Sequence, residues 1–224
     1  MGGEMAEAVD VRQRILAANE RAAAELRAQF AAQGTLVINL ISSPGSGKTT
    51  LLERTVSHLA GQLRLAAVEG DIATERDAER LRRLGIPAKQ ILTGGACHLD
   101  ARQVQGALAE AAFPAVDVLF IENVGNLICP TAYDLGEDFK VALLSVTEGA
   151  DKPFKYPAIF ARAEVTVITK ADLLPHVEFD LEAVRTQVGT LNPQGEFLVT
   201  SSRTGDGIAA WCALLQRRLA AKRA

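Results

Sequence analysis

The chain lacks any long apolar run. Among its 224 residues, no stretch approaches the roughly 18 to 20 consecutive apolar residues that a membrane helix needs. Its first ten residues, MGGEMAEAVD, are acidic, whereas a secretory signal starts with basic side chains. The sequence therefore predicts a cytoplasmic protein that does not enter a membrane.

An excess of charge of either sign is also absent. The chain has 24 basic and 27 acidic side chains, which gives a net charge of -3. Such a balance excludes a sequence-wide attraction to nucleic acid or to an anionic membrane. Any specific partner must therefore be recognised by a local feature.

Cysteine is scarce, and its number is odd. Cys97, Cys129 and Cys212 are far apart along the chain. This pattern suits a reducing cell interior better than a framework of disulfide bonds. We expect these side chains either to pack in the core or to bind a metal.

The length suffices for one complete α/β domain and is too short for two. Over residues 6–33, apolar positions that include Val9, Leu26 and Phe30 recur at near-helical spacing, which predicts an amphipathic leading helix. Gly34 is expected to end this helix. We therefore predict a leading helix over residues 1–34 and an α/β domain over residues 35–224.

Short apolar runs alternate with helical patterns in the rest of the chain. The predicted strands are 36–41, 64–70, 116–122, 141–146, 164–169 and 196–199. The predicted helices are 48–63, 73–84, 99–113, 179–191 and 207–221. This order predicts a doubly wound, mostly parallel sheet of about seven strands with helices on both faces. The segment GADKPFKYP, 149–157, is interpreted as a loop that contacts a ligand or a partner.

The segment SSPGSGKTT follows the first predicted strand and opens a helix, the context of a phosphate-binding loop. Gly45 and Gly47 allow backbone N–H groups to surround phosphates, Lys48 reaches the phosphate oxygens, and Thr49 offers its hydroxyl to Mg²⁺. The usual motif begins with glycine, where this chain has Ser42. The predicted nucleotide-binding residues of this loop are Gly45, Ser46, Gly47, Lys48, Thr49 and Thr50.

The tetrapeptide TKAD follows a later predicted strand and favours guanine as the base. A carboxylate at Asp172 would accept hydrogen bonds from N1 and N2 of guanine, whereas adenine offers an acceptor at N1 and no amino group at C2. We expect Lys170 to lie along the purine and the turn that contains Ser201 to bind the guanine O6. The sequence thus predicts that residues 35–224 form a P-loop GTPase domain.

Two acidic residues follow predicted strands and are expected to complete the catalytic site. Asp71, with Asp77 nearby, and Glu122 should meet Lys48 and Asp172 at the carboxyl edge of the sheet. We predict Lys48, Asp71 and Glu122 as catalytic residues and Thr49, Asp71 and Glu122 as Mg²⁺ ligands. Gly125 is expected to move with the γ-phosphate. No glutamine or arginine stands out as the group that orients water or neutralises charge, so slow turnover is expected.

Cys97 and His98 are adjacent in GGACHLD, at the start of a predicted helix, and Cys129 follows the ENVGN segment. Thiolate and imidazole suit Zn²⁺ or Ni²⁺. A site with these three ligands would be completed by solvent or by a symmetry mate, although buried cysteines are also common without a metal. Cys212, His58 and His176 are interpreted as structural or surface residues.

Taken together, six segments resemble the HypB family of nickel-hydrogenase maturation GTPases, relatives of the urease accessory GTPase UreG. They are SSPGSGKTTLL, EGDIATERDAERL, GGACHLDA, IENVGNLICP, EGADKPFKYP and TKADLLP. The resemblance implies a SIMIBI-type G domain that forms a homodimer with GTP and holds Ni²⁺ or Zn²⁺ between subunits at Cys97, His98 and Cys129. It also implies nickel delivery to the hydrogenase large subunit with a partner of the HypA type.

Alternatives remain open from the residues. The metal motif of the urease relatives is Cys-Pro-His, whereas Cys97 and His98 are contiguous here, which favours the hydrogenase branch. A small-molecule kinase with the same P-loop is a second hypothesis, against which TKAD argues. A passive metal carrier with a vestigial nucleotide site is a third. The chain has neither a cysteine-rich amino-terminal motif nor a histidine-rich stretch, so separate tight nickel binding or nickel storage is not expected.

Overall fold

The computed structural model describes residues 2–71, 76–111 and 113–224, with side chains from residue 13 onward. The seven strands are β1 (Leu36–Ser42), β2 (Leu65–Asp71), β3 (Ala88–Leu92), β4 (Val118–Glu122), β5 (Phe139–Ser145), β6 (Val165–Thr169) and β7 (Glu196–Val199). The α-helices are α1 (Gly2–Gln33), α2 (Lys48–Leu59), α3 (Arg76–Arg83), α4 (Ala101–Ala111), α5 (Lys152–Lys155), α6 (Pro157–Arg162), α7 (Leu181–Leu191) and α8 (Ile208–Arg223).

All seven strands form one parallel sheet in the order β3-β2-β4-β1-β5-β6-β7. Every residue of the central strand β1 is buried, because helices cover both faces. The crossover from β1 leads toward β2 on one side, whereas the crossover from its neighbour β5 leads toward β6 on the other. Ligands bind at such a switch point. The predicted doubly wound fold is confirmed, and the sheet is parallel throughout.

Two segments differ from the local predictions. The sequence pattern does not predict the strand β3, because its consecutive polar residues Lys89 and Gln90 hide the apolar signal of an edge strand. The predicted loop 149–157 contains α5 and the first residue of α6, and each helix has a proline in its first turn, where proline is tolerated. The predicted helix that starts at residue 73 begins outside the described residues.

The leading helix α1 packs against the domain. Gly34, with a φ of 62°, follows its last residue as predicted. Leu26 and Phe30 are buried in the same cluster as β1 and α4 residues, whereas the side chain of Val9 lies outside the described residues. The buried Asn19 accepts from Ala101 N at 2.8 Å and donates to Asp134 O at 2.9 Å. This amide ties α1 to the first residue of α4 and to the segment before β5.

Across the ranges that the structure describes, no helix combines the length and the apolar character of a membrane span.

The carboxylate of Asp117 joins three elements at the amino-terminal edge of the sheet. Asp117, just before β4, accepts from Arg64 N at 2.7 Å and from the guanidinium groups of Arg64 and Arg223 at 2.8 and 2.7 Å. The hydrogen bond from Arg64 is the main cause that holds the pKa of Asp117 far below its usual range. This contact anchors the start of β2 and the end of α8 to β4.

Asp117→Asn is expected to lower the free energy of unfolding by about 2 kcal/mol at pH 7, because it removes charge-assisted hydrogen bonds. A depressed pKa in the folded state stabilises the fold above the unfolded pKa of about 3.9, and this stabilisation is lost as the pH falls toward the folded pKa. Urea unfolding at pH 7 and pH 3 should therefore give a smaller difference at pH 3. The exposed Glu110→Gln serves as the control, and an equal difference at both pH values contradicts the assignment.

Candidate nucleotide and metal sites

The phosphate-loop segment connects the end of β1 to the start of α2. Gly45 has a φ of 76° and Gly47 a φ of 94°, values that favour glycine. Gly47 directly precedes α2. The turn therefore follows from its glycines, and it places the amino-terminal end of α2, with its positive dipole, at the cavity.

Lys48 is buried and held by two acceptors. Its Nζ donates to Ser42 Oγ at 2.8 Å and lies 3.9 Å from Glu122 Oε1. The hydroxyl of Ser46 also donates to Ser42. Ser42, which replaces the usual glycine, therefore accepts hydrogen bonds from two residues of the loop and holds it in place.

The Glu122 carboxylate, at the end of β4, meets the first turn of α2. The hydroxyl of Thr49 lies 3.2 and 3.3 Å from its two oxygens. Asp71 and Asp77 line the same cavity of about 500 Å³. This set of oxygen ligands suits a hard cation such as Mg²⁺. The other described residues that line the cavity include Pro44, Gly45, Gly47, Lys48, Thr50, Glu69, Arg80, Gln90, Asn123, Gly125 and Lys170.

Negative charge is costly at the floor of this cavity. Burial first, and then the neighbouring Glu122 carboxylate, raise the pKa of Glu69 well above its usual range. Burial also raises the pKa of Glu122, although Lys48 acts in the opposite direction. A cation at this position would therefore stabilise the ionised carboxylates.

The TKAD segment lies beside the phosphate loop. Thr169 donates to Ser46 O at 2.6 Å, and Lys170, with a φ of 58°, donates to Gly45 O at 2.7 Å. Asp172 lies beyond the cavity and accepts from Ser201 Oγ at 2.6 Å. The ends of β6 and β7 thus form a polar edge next to the cavity.

Three side chains that could bind a soft metal meet on a different pair of segments. One ligand atom each from Cys97, His98 and Cys129 lies within 4.8 Å of the others. Cys97 and His98 lie just before α4, at the start of the predicted helix 99–113. The hydrogen bond to Cys129, followed by burial, raises the pKa of the Cys97 thiol, and burial lowers the pKa of His98. A neutral imidazole beside two thiols suits Zn²⁺ or Ni²⁺.

The His98 ring stacks on Tyr133, with ring centroids 3.8 Å apart. This contact fixes the imidazole of the ligand cluster against the segment that follows Cys129. By contrast, Cys212 is buried in the core beside Trp211, and burial raises its pKa to about 11. His58 and His176 are exposed.

A buried amide joins the cavity to the metal-ligand loops. Asn123 follows Glu122, and its Oδ1 accepts from Leu99 N, the residue after His98, at 3.1 Å. Its Nδ2 donates to Asn39 Oδ1 at 3.3 Å. The two candidate sites are therefore connected by hydrogen bonds through one side chain.

Four polar residues of the cavity were not identified from the sequence. Glu69, Gln90 and Asn123 are buried, and Arg80 bonds Glu53 and Asp77 at 2.8 and 3.1 Å. Arg80 and Gln90 both line the cavity, although neither stands out in the sequence. A polar residue within an apolar strand, as in VEGD, was the available signal.

The comparisons with known proteins agree on one family. The model of the CobW/HypB/UreG nucleotide-binding domain matches residues 8–199. The hydrogenase maturation factor HypB of Azotobacter vinelandii is 51% identical, over 93% of this chain and 69% of that protein.

Two solved structures are also similar. HypB from Archaeoglobus fulgidus has a TM-score of 0.85 at 40% identity, covering 91% of this chain and all of that chain. HypB from Helicobacter pylori in complex with nickel has a TM-score of 0.85 at 40% identity, covering 90% and 94%. With this fold, these motifs and these relatives, the chain belongs to the HypB hydrogenase maturation factors within the CobW/HypB/UreG family of nucleotide-binding proteins.

Proposed function

We propose that the chain is a GTPase whose nucleotide state controls binding of Ni²⁺ or Zn²⁺ between two copies. In this role it hydrolyses GTP to GDP and phosphate and assists nickel insertion into the [NiFe]-hydrogenase large subunit, with a HypA-type partner. The observation that carries this proposal is the Asn123 link between the cavity and the metal-ligand loop. Through this hydrogen bond, a change at the phosphates would reach Leu99, the residue after His98.

The phosphate end of the cavity supports nucleotide hydrolysis. Lys48 would bind the phosphate oxygens, and the start of α2 would add N–H donors. Thr49, Asp71 and Glu122 would hold Mg²⁺, which supplies charge neutralisation on those oxygens. Among the described residues that line the cavity, the arginine is Arg80. Its ion pairs with Glu53 and Asp77 orient the guanidinium group.

The polar edge at β6 supports the choice of guanine. Asp172 is held by Ser201, and its remaining acceptor capacity suits the N1 and N2 donors of guanine. Lys170 donates to Gly45 O, so its stem lies beside Gly47 of the phosphate loop. Adenine would leave the carboxylate without these donors.

Features around the ligand cluster support a second copy as the partner. Three protein ligands leave a fourth position of a tetrahedral site. Ile128, next to Cys129, is 65% exposed, and Leu92, near Cys97, is 53% exposed. Apolar side chains beside a three-ligand site favour a symmetric interface across it.

Gly125 is the second connection between the sites. A Cβ on this residue would lie 2.8 Å from Pro44 Cγ and 3.0 Å from Pro44 N. The segment that leads from Glu122 to Cys129 therefore lies directly on the phosphate loop. Movement of either segment must involve the other, because close-packed atoms cannot interpenetrate.

Asp172→Asn tests the base assignment. The variant is expected to bind GTP about 100-fold more weakly, because it loses charge-assisted hydrogen bonds, while its weaker ATP affinity stays unchanged. Calorimetry with both nucleotides measures the two affinities, and the exposed Glu182→Gln is the control. Wild-type protein that binds ATP as tightly as GTP contradicts the proposed GTP preference.

Cys97→Ala tests the metal site and its link to nucleotide. Ni²⁺ affinity of the wild type is expected to differ between protein loaded with GDP and with a non-hydrolysable GTP analogue. The variant should bind Ni²⁺ at least about 100-fold more weakly with either nucleotide, since it loses a ligand. Cys212→Ala is the control. Calorimetry and sedimentation report affinity and oligomeric state, and an affinity independent of nucleotide argues against the switch.

Gly125→Ala tests the contact with Pro44. The added methyl group must displace the phosphate loop, so affinity for the GTP analogue is expected to fall about tenfold. Gly106→Ala on α4 is the matched control, because a Cβ there meets nothing within 4 Å. Equal analogue affinity in both variants shows that the contact does not position the loop.

A further inference from the structure

Three polar side chains form a row across the floor of the nucleotide cavity. Glu69 of β2 pairs in register with Gln90 of β3 and with Glu122 of β4. Side chains at matched positions of neighbouring strands project from the same face of a sheet. All three line the cavity, and the row ends at Thr49, which donates to Glu122.

Two oxygens of this row are buried acceptors without a donor. Glu69 is 2% exposed and Gln90 is 8% exposed. Within the described chain, Glu69 Oε1 and Gln90 Oε1 have no hydrogen-bond partner, although Gln90 Nε2 donates to Glu69 O at 2.8 Å. Buried acceptors are normally satisfied, so the donor is expected from an occupant of the cavity.

The charges around these oxygens indicate the kind of occupant. Glu69 and Glu122 are adjacent carboxyl groups, and Asp77 lines the same cavity. An anion is disfavoured here and a cation is favoured. Mg²⁺ retains several water molecules when it binds to proteins, and these waters donate hydrogen bonds to a surrounding layer of acceptors.

We infer that Glu69 and Gln90 form an outer layer of the magnesium site, in which their free oxygens accept hydrogen bonds from the water molecules that Mg²⁺ retains. The inference rests on the proposed nucleotide binding and extends it to two residues beyond the expected ligands. Both are positioning residues. They set the Mg²⁺ affinity of the nucleotide complex and leave the contacts of Lys48 with phosphate unchanged.

Calorimetric titration of Mg²⁺ into protein loaded with a non-hydrolysable GTP analogue tests this layer. Glu69→Gln and Gln90→Met keep the size of each side chain and remove an acceptor oxygen. Each is expected to weaken Mg²⁺ binding about tenfold, the usual effect of losing an outer-layer partner. The exposed variants Glu110→Gln and Gln105→Met are the matched controls and should bind Mg²⁺ like the wild type.

Affinity for the analogue in EDTA separates this role from a structural one. It is expected to equal the wild-type value in both variants, because the phosphate contacts are intact. Wild-type Mg²⁺ affinity in both variants overturns the inference alone, whereas failure of the wild type to bind the analogue overturns the proposed function and the inference together. Should Glu69→Gln not fold, the Mg²⁺ affinity of Gln90→Met decides.

Discussion

The hydroxyl of Thr49 donates to the carboxylate of Glu122 at 3.2 Å and joins the first turn of α2 to the last residue of β4. The contact is possible because β1 and β4 are parallel neighbours, so that the helix that follows β1 starts beside the end of β4. Residues after Glu122 then diverge: Asn123 reaches Leu99, and Gly125 touches Pro44. The end of β4 therefore contributes residues to the cavity and, at the same time, contacts the candidate metal-ligand segment.

Behind this strand end lies a buried polar network. Asn123 donates to Asn39, Asn39 donates to Glu137 at 3.3 Å, and Glu137 accepts from Leu135 N at 2.6 Å. The residue two before Leu135 is Tyr133, which stacks on His98. Satisfied buried amides exchange partners only in discrete steps, because an unpaired intermediate is costly.

Much of the fold could be predicted from the sequence, because most strands carry dense apolar runs and the phosphate loop has a local motif. The edge strand β3 could not, and Gln90 on it was therefore not identified. Glu69 lies within a predicted strand, and no local pattern indicates which way its side chain points. The resemblance to the HypB family rests on contiguous motifs, which a sequence shows directly. That family assignment is confirmed.

The ligand cluster shows where sequence reasoning needs tertiary structure. Adjacency in the chain indicated Cys97 and His98 as a pair, whereas Cys129 comes from the loop after β4. Their approach depends on the parallel order β3-β2-β4, which brings the segments after β3 and β4 to one edge and which no short motif encodes. The sequence indicated Cys129 as a third candidate by its chemistry and the family resemblance supported it, and the structure supplies the distance.

The leading helix has a consequence for how such proteins diverge. Asn19 bonds Ala101 N, three residues after His98, and Asp134 O, next to Tyr133. One amide thus braces both segments that flank the imidazole, from an element that contributes no ligand. A replacement at Asn19 would need compensating changes in two loops at once, so natural variation in the leading helix and in these loops should be correlated.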